Sequence, residues 1–138
     1  MKVTARIAYA ILAVFELGLH PEETKVQAKE IAERQSIPPR FLEQILIQLK
    51  KAGLVRSIRG ASGGYLLEKS SAKISLKDIM EAVEGEIVFF DPKVTADSSI
   101  LNVWSEIEED FLSKLQSITV RDLIKRKTRD DNVIVYHI

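Results

Sequence analysis

Apolar residues recur at Ile7, Ala8, Ile11, Leu12, Phe15 and Leu19, the three-and-four spacing that keeps one face of a helix out of water. Thr4 precedes the run as a capping residue, and Pro21 ends it. A second, short helix is predicted over 28–34 with Ile31 and Ala32 inward, although Gln27 is a poor cap. Gln35-Ser36-Ile37 reads as a turn. Ile37 precedes a proline and is pushed to extended geometry, while Pro39 suits the first position of a helix, where its missing N–H costs nothing. In the helix that starts there, Leu42, Ile45, Leu46, Leu49 and Ala52 form a buried stripe. Arg40, Glu43, Gln44, Gln48 and Lys51 are expected on the opposite face, and Gly53 closes the helix.

The period then changes. Leu54 to Ile58 and Tyr65 to Leu67 read as two strands around a Gly60-Ala61-Ser62-Gly63-Gly64 tip. Ser75-Leu76-Lys77-Asp78 has the form of a capping box ahead of Ile79, Met80 and Val83, and Gly85 ends that helix. Residues 86–98, with Pro92, are expected to form a loop. From Ser99 to about Ser117 a long helix places Ile100, Trp104, Ile107, Phe111, Leu115 and Ile118 at intervals of 4, 3, 4, 4 and 3, close to a coiled-coil seam. Thr119 to Asp122 caps a further short helix ending near Lys125, and the β-prone Val133 to Ile138 is expected to add an edge strand or cross to a partner.

A chain of 138 residues supports one core and an appendage. The expected fold is mainly α with a small β-hairpin wing: a winged helix-turn-helix domain over 1–85, a loop over 86–98, and a C-terminal dimerisation helix with its tail over 99–138. No apolar run is long enough to span a membrane, and the opening residues lack an export signal, so a cytoplasmic location is expected. Formal net charge is zero, but eleven Lys and Arg face seven Asp and Glu in residues 1–69, against nine facing thirteen in residues 70–138. Within 40–59 five basic side chains (Arg40, Lys50, Lys51, Arg56, Arg59) accompany one acid, Glu43, which is where a polyanion would dock.

A helix pair with a polar outward face and a glycine-tipped hairpin suits duplex DNA. The major groove admits one helix, and the side chains of its first turns reach the base edges. Arg40 can pair with guanine, Glu43 can accept from the cytosine amino group, and Gln44 can bond adenine in bidentate fashion. Arg59, beside glycines, suits a narrow minor groove, with Gly60, Ser62 and Lys51 completing the expected DNA-binding set. The glycine run lies between strands instead of opening a helix, which argues against a phosphate-binding loop. His20 and His137 share no metal-ligand spacing, and the Glu106, Glu108, Glu109, Asp110 cluster reads as a solvated helix face, so no catalytic or metal site is expected.

The ordered set Glu30-Ile31-Ala32-Glu33-Arg34, Phe41-Leu42-Glu43-Gln44-Ile45, Leu49-Lys50-Lys51-Ala52-Gly53-Leu54-Val55 and Arg59-Gly60-Ala61-Ser62-Gly63-Gly64-Tyr65 resembles the Rrf2 family of bacterial winged-helix regulators. The resemblance implies homodimers joined through the long late helix (Ile100, Trp104, Ile107, Phe111, Leu115), base reading by Glu43 and Gln44, and a minor-groove role for Arg59. Cluster-binding members of that family carry three cysteines in the loop before the long helix. This chain has none, and Glu86, Asp91 and Asp97 offer oxygen donors poorly suited to an iron-sulfur cluster, so no cofactor is expected. The expected activity is therefore that of a dimeric transcription regulator, a repressor, on a pseudo-palindromic operator. Its signal would be a small-molecule effector, a partner metabolic enzyme, or none. A protein-interaction adaptor built on the same fold is the alternative, and a steep salt dependence of DNA affinity separates the two.

Overall fold

The computed structural model describes residues 2–89 and 97–136. Its elements in chain order are α1 (Ala5–Leu19), α2 (Ala28–Gln35), α3 (Pro39–Lys51), β1 (Val55–Ile58), β2 (Gly64–Leu67), a single 3-10 turn (Ser71–Lys73), α4 (Leu76–Glu84), α5 (Ser98–Ser117) and α6 (Val120–Tyr136). Local chemistry accounts for most boundaries. The Thr4 hydroxyl accepts from the Ile7 amide at the start of α1. The Ser75 hydroxyl and Asp78 carboxylate each accept the other's backbone N–H, closing the capping box of α4. At the end of α3, Gly53 adopts φ 76° while the Gly53 amide donates to Lys50 and the Leu54 amide to Leu49. That is a Schellman ending, which turns the chain from the helix straight into β1.

The central helix is α1, against which α2, α3, α4 and α6 all pack. Ala10 and Ala13 lie fully buried on it, and their small side chains permit close approach of its neighbours. Ile31, Leu42, Ile45, Leu46, Leu49, Ile74 and Ile79 fill the core from the surrounding elements. β1 and β2 pair antiparallel with Arg56 opposite Leu66 and Ser57 opposite Tyr65, and Tyr65 exchanges both backbone hydrogen bonds with Val26, fastening the hairpin to the segment before α2.

One buried carboxylate organises the first helix pair. Glu16 is 2% exposed, and its two oxygens accept from the Gln35 amide at 3.0 Å and meet His20 Nε2 at 2.8 Å. It thereby ties α1 to the end of α2. Glu16→Ala leaves these polar groups without their partner, so unfolding free energy should fall by about 1–3 kcal/mol, read as a lower urea midpoint with unchanged slope. An unaltered midpoint would mean that the buried carboxylate contributes nothing net.

The C-terminal region differs from the sequence expectation. Thr119 and Asp122 do form a reciprocal cap, and the hydrogen bonds from Thr119 hold the Asp122 carboxyl below its ordinary range. The depressed pKa means that the cap stabilises the folded state above the ordinary carboxylate range and is lost as pH falls through the folded value. The helix it starts does not stop near Lys125. It continues to Tyr136, so Val133–Tyr136 are helical and not extended, while His137 and Ile138 lie outside the described residues. Once a helix is nucleated each added residue gains a backbone hydrogen bond, which outweighs the modest β preference of Val133, Ile134 and Val135. The start of α6 also belongs to the main core: Val120 is fully buried, its amide donates to Ile74, and the Leu76 amide donates to Ile118.

Candidate nucleic-acid interface

The burial of α3 is one-sided. Leu42, Ile45, Leu46 and Leu49 face the core, while Arg40, Glu43, Gln44, Ile47 and Lys51, spaced by three and four residues, are all exposed. Four of these five residues match the sequence reading; Ile47 was missed because an isoleucine carries no polar signature. It is 54% exposed on the same face, where an apolar side chain can meet a thymine methyl group.

Gln48 is a correction. The helical spacing puts it on the outward face, but it is half-buried, accepting from Arg6 Nη1 at 2.8 Å and donating to the Val83 carbonyl at 3.5 Å. The Arg6 guanidinium also lies over the Phe41 ring, 5.6 Å from its centroid, and Tyr9 meets Phe41 edge-on. These contacts come from residues some forty positions away in sequence, and they take Gln48 out of the groove-facing set to fix α3 on α1 and α4.

The wing follows α3 directly and packs on its end. Arg59, Gly60 and Ser62 are exposed at the hairpin tip, and the Gly63 amide donates to the Gly60 carbonyl at 3.0 Å to close the turn. Lys50 Nζ donates to Ser57 Oγ at 2.7 Å, joining the end of α3 to β1. Arg56 pairs with Glu23 at 2.8 Å and approaches Glu68 at 3.8 Å. Of the five basic residues counted over 40–59, Lys50 and Arg56 are therefore engaged within the protein. Among the described residues no ion pair or side-chain hydrogen bond engages Arg40, Lys51 or Arg59. These three cations remain available to phosphate and base edges.

Gly63 is required by the turn. A Cβ there would clash with the Ile58 carbonyl oxygen, backbone that cannot swing aside. Gly63→Ala must reshape the tip, and it should cost about 1–3 kcal/mol of stability and weaken DNA binding while leaving the helical core folded. A hairpin with unchanged amide chemical shifts in the variant would contradict this.

A helix that presents one polar face, three residues ahead of a glycine-turned hairpin bearing the exposed Arg59, is the constellation of a winged helix-turn-helix. The comparison with known proteins decides the family. Residues 3–126 match the Rrf2 family, described as an iron-dependent transcriptional regulator. The chain belongs to the Rrf2 family. It is 38% identical over 128 residues to a protein of Synechocystis named as an HTH-type transcriptional regulator, covering 89% of this chain and 87% of that one. The solved structure of T. potens IscR shares 37% identity at a TM-score of 0.77, covering 92% of this chain and 88% of its own. CymR, the global cysteine regulator of B. subtilis, superposes with a TM-score of 0.82 at 30% identity, covering 91% and 98%. The chain is thus a DNA-binding transcription regulator of Rrf2 type, with six α-helices and a two-strand hairpin among its described residues.

Iron held as a cysteine-ligated cluster does not fit this chain. A thiolate-held cluster needs cysteines, and the sequence has none. Of the three acids considered in the loop, Glu86 is exposed after α4, Asp97 caps α5 by accepting from Ser99, and Asp91 lies outside the described residues. Among the described residues no group of three or more His, Cys, Asp and Glu side chains is disposed to hold a metal, and no helix is long and apolar enough to cross a membrane.

The dimerisation residues read from the sequence fall into two sets. Ile100, Trp104 and Ile107 are exposed on α5, joined by Val103, which sequence reasoning did not single out; these four are 43–55% exposed. Phe111 and Leu115 are half-buried on α5, which packs on α4, and Phe111 meets Phe89 with ring centroids 5.1 Å apart. No residue of α5 is buried.

Proposed function

We propose that this Rrf2 protein is a cytoplasmic, non-catalytic repressor that binds a pseudo-palindromic operator as a homodimer, with one α3 and one wing per half-site. The observation that carries the reading is the exposed polar face of α3 together with the exposed hairpin tip that follows it, with Arg40, Lys51 and Arg59 exposed and, among the described residues, unengaged. Gln44 and Glu43 read base edges, Ile47 meets a thymine methyl, and Arg59, flanked by Gly60 and Ser62, enters the minor groove. A second copy supports the reading from the other end. Ile100, Val103, Trp104 and Ile107 form an i, i+3, i+4, i+7 apolar stripe that is 43–55% exposed in the single chain, and the same stripe of a second copy would cover it. A dimer seated on the duplex excludes other proteins from the stretch it covers, which is repression in its simplest physical form.

The test is the salt dependence of affinity for a duplex selected from random sequences. Each phosphate neutralised contributes a slope of about −0.9 in log K against log salt, so a steep line together with strong preference over scrambled duplex is the expected result. A flat, sequence-blind response would support the adaptor alternative. We also expect the purified protein to bind DNA without an iron-sulfur chromophore, because thiolate donors are absent. Stoichiometric iron and acid-labile sulfide would refute that expectation.

A further inference from the structure

A cavity of about 440 Å³ opens between the start of α1, the end of α4, the segment that follows it and α5. Val3, Ile7, Met80, Ile87, Val88 and Phe111 line it, and the lining is predominantly apolar. Its volume is that of small-molecule sites, roughly 300–1,000 Å³. Val3 and Val88 are 64% and 58% exposed at its edges, so the apolar surface continues to the mouth. Charge at the rim is unbalanced: Glu84 and Glu86 stand against Lys2, and Thr4 donates a hydrogen bond to Glu84 at 3.0 Å.

The cavity walls converge on the recognition helix. Arg6, one residue before the cavity-lining Ile7, donates to Gln48; Gln48 donates to the carbonyl of Val83, one residue before the lining Glu84. Spreading α1 from α4 would strain both contacts of a single side chain on the inner face of α3. A ligand that prefers one separation of these helices shifts the pose of α3 by that preference alone.

We infer that this cavity is an effector site for a small apolar amine, whose hydrocarbon body lies among Ile7, Met80, Val88 and Phe111 and whose ammonium meets Glu84 and Glu86. The regulatory half of the inference rests on α3 reading DNA; the binding half does not.

Two probes with the same indole body and opposite charge, tryptamine and indole-3-acetate, test it on the full-length, methyl-labelled protein. Tryptamine should give saturable shifts at the Ile7, Met80, Ile87 and Val88 methyls, with indole-3-acetate about fivefold weaker, as expected for partly screened charges. Val88→Trp, which fills the mouth from an exposed position, should weaken tryptamine about tenfold, and Val3→Trp on the other side of the mouth should do the same. Saturating tryptamine should change affinity for the selected duplex by about fivefold or more. Absent shifts, shifts confined to Ile100, Val103 and Ile107 on α5, or equal binding of the anion would overturn the site. Saturation with unchanged DNA affinity would overturn the coupling. Failure to bind DNA at all, with the methyl shifts intact, would instead sink the DNA reading and leave the cavity assignment standing.

Discussion

A protein carrying Val103→Asp and Ile107→Asp should sediment as a monomer, keep its winged-helix core, and bind a two-half-site duplex roughly 10²–10⁴-fold more weakly than the parent. The argument begins with burial. Both side chains are about half exposed in the single chain and neither belongs to its core, so aspartate at either position leaves the core packing in place. In a dimer joined along this stripe the same carboxylates would be buried without partners, at a cost of several kcal/mol each. The affinity loss follows because two half-sites held by one dimer bind as a linked pair, and a monomer forfeits the effective concentration that the first contact gives the second. Phe111 is a poorer target for this test. It packs on Phe89 and lines the cavity beside α4, so its replacement would damage the protomer as well. A double mutant that stayed dimeric would place the interface elsewhere; a monomer with undiminished affinity would remove the need for one.

Gln44→Ala and Arg59→Ala should change what the protein reads, each in its own groove. Gln44 lies on the exposed face of α3, and a bidentate contact to a base is worth about 1–3 kcal/mol of discrimination. Because the substitution occurs twice in a dimer, the selected duplex should lose about 2–6 kcal/mol of preference over one altered at that base in both half-sites. Arg59 stands at the wing tip without an internal partner, so Arg59→Ala should reduce affinity mainly where flanking A·T pairs narrow the minor groove, and the salt slope should fall. Repeating the selection from random duplexes on each variant reads both effects as changes in the recovered sequence. If either variant returned the parental sequence at parental affinity, that residue would have no part in recognition.

Much of this interface could be read from the sequence because it is built by local rules. The apolar stripe of α3 from Leu42 to Leu49, its proline start, its glycine ending and the glycine-rich hairpin tip are each set within a few residues, and the structure reproduces them, while Ala52, expected in the stripe, is the exposed C-cap of the helix. Features that depend on distant partners were beyond such reading. Gln48 turns inward because Arg6 and Val83 meet it, Lys50 and Arg56 are taken up by Ser57 and Glu23, and only the folded chain shows which cations remain. Glu16 has the same lesson: a carboxylate on an amphipathic helix reads as solvated until Gln35 and His20 are seen around it. The length of α6 was missed for a different reason, since three β-branched residues at its end carry less weight than the helix already running into them.

The most direct test of dimeric operator recognition through α3 and the wing is the structure of the protein on a duplex selected from random sequence. It should show two protomers related by a twofold axis, joined along Ile100, Val103, Trp104 and Ile107, with the two α3 helices in major grooves about 34–36 Å apart or a multiple of it and each Arg59 in the adjoining minor groove. A single protomer on the duplex, or α3 facing away from the groove, would contradict the account.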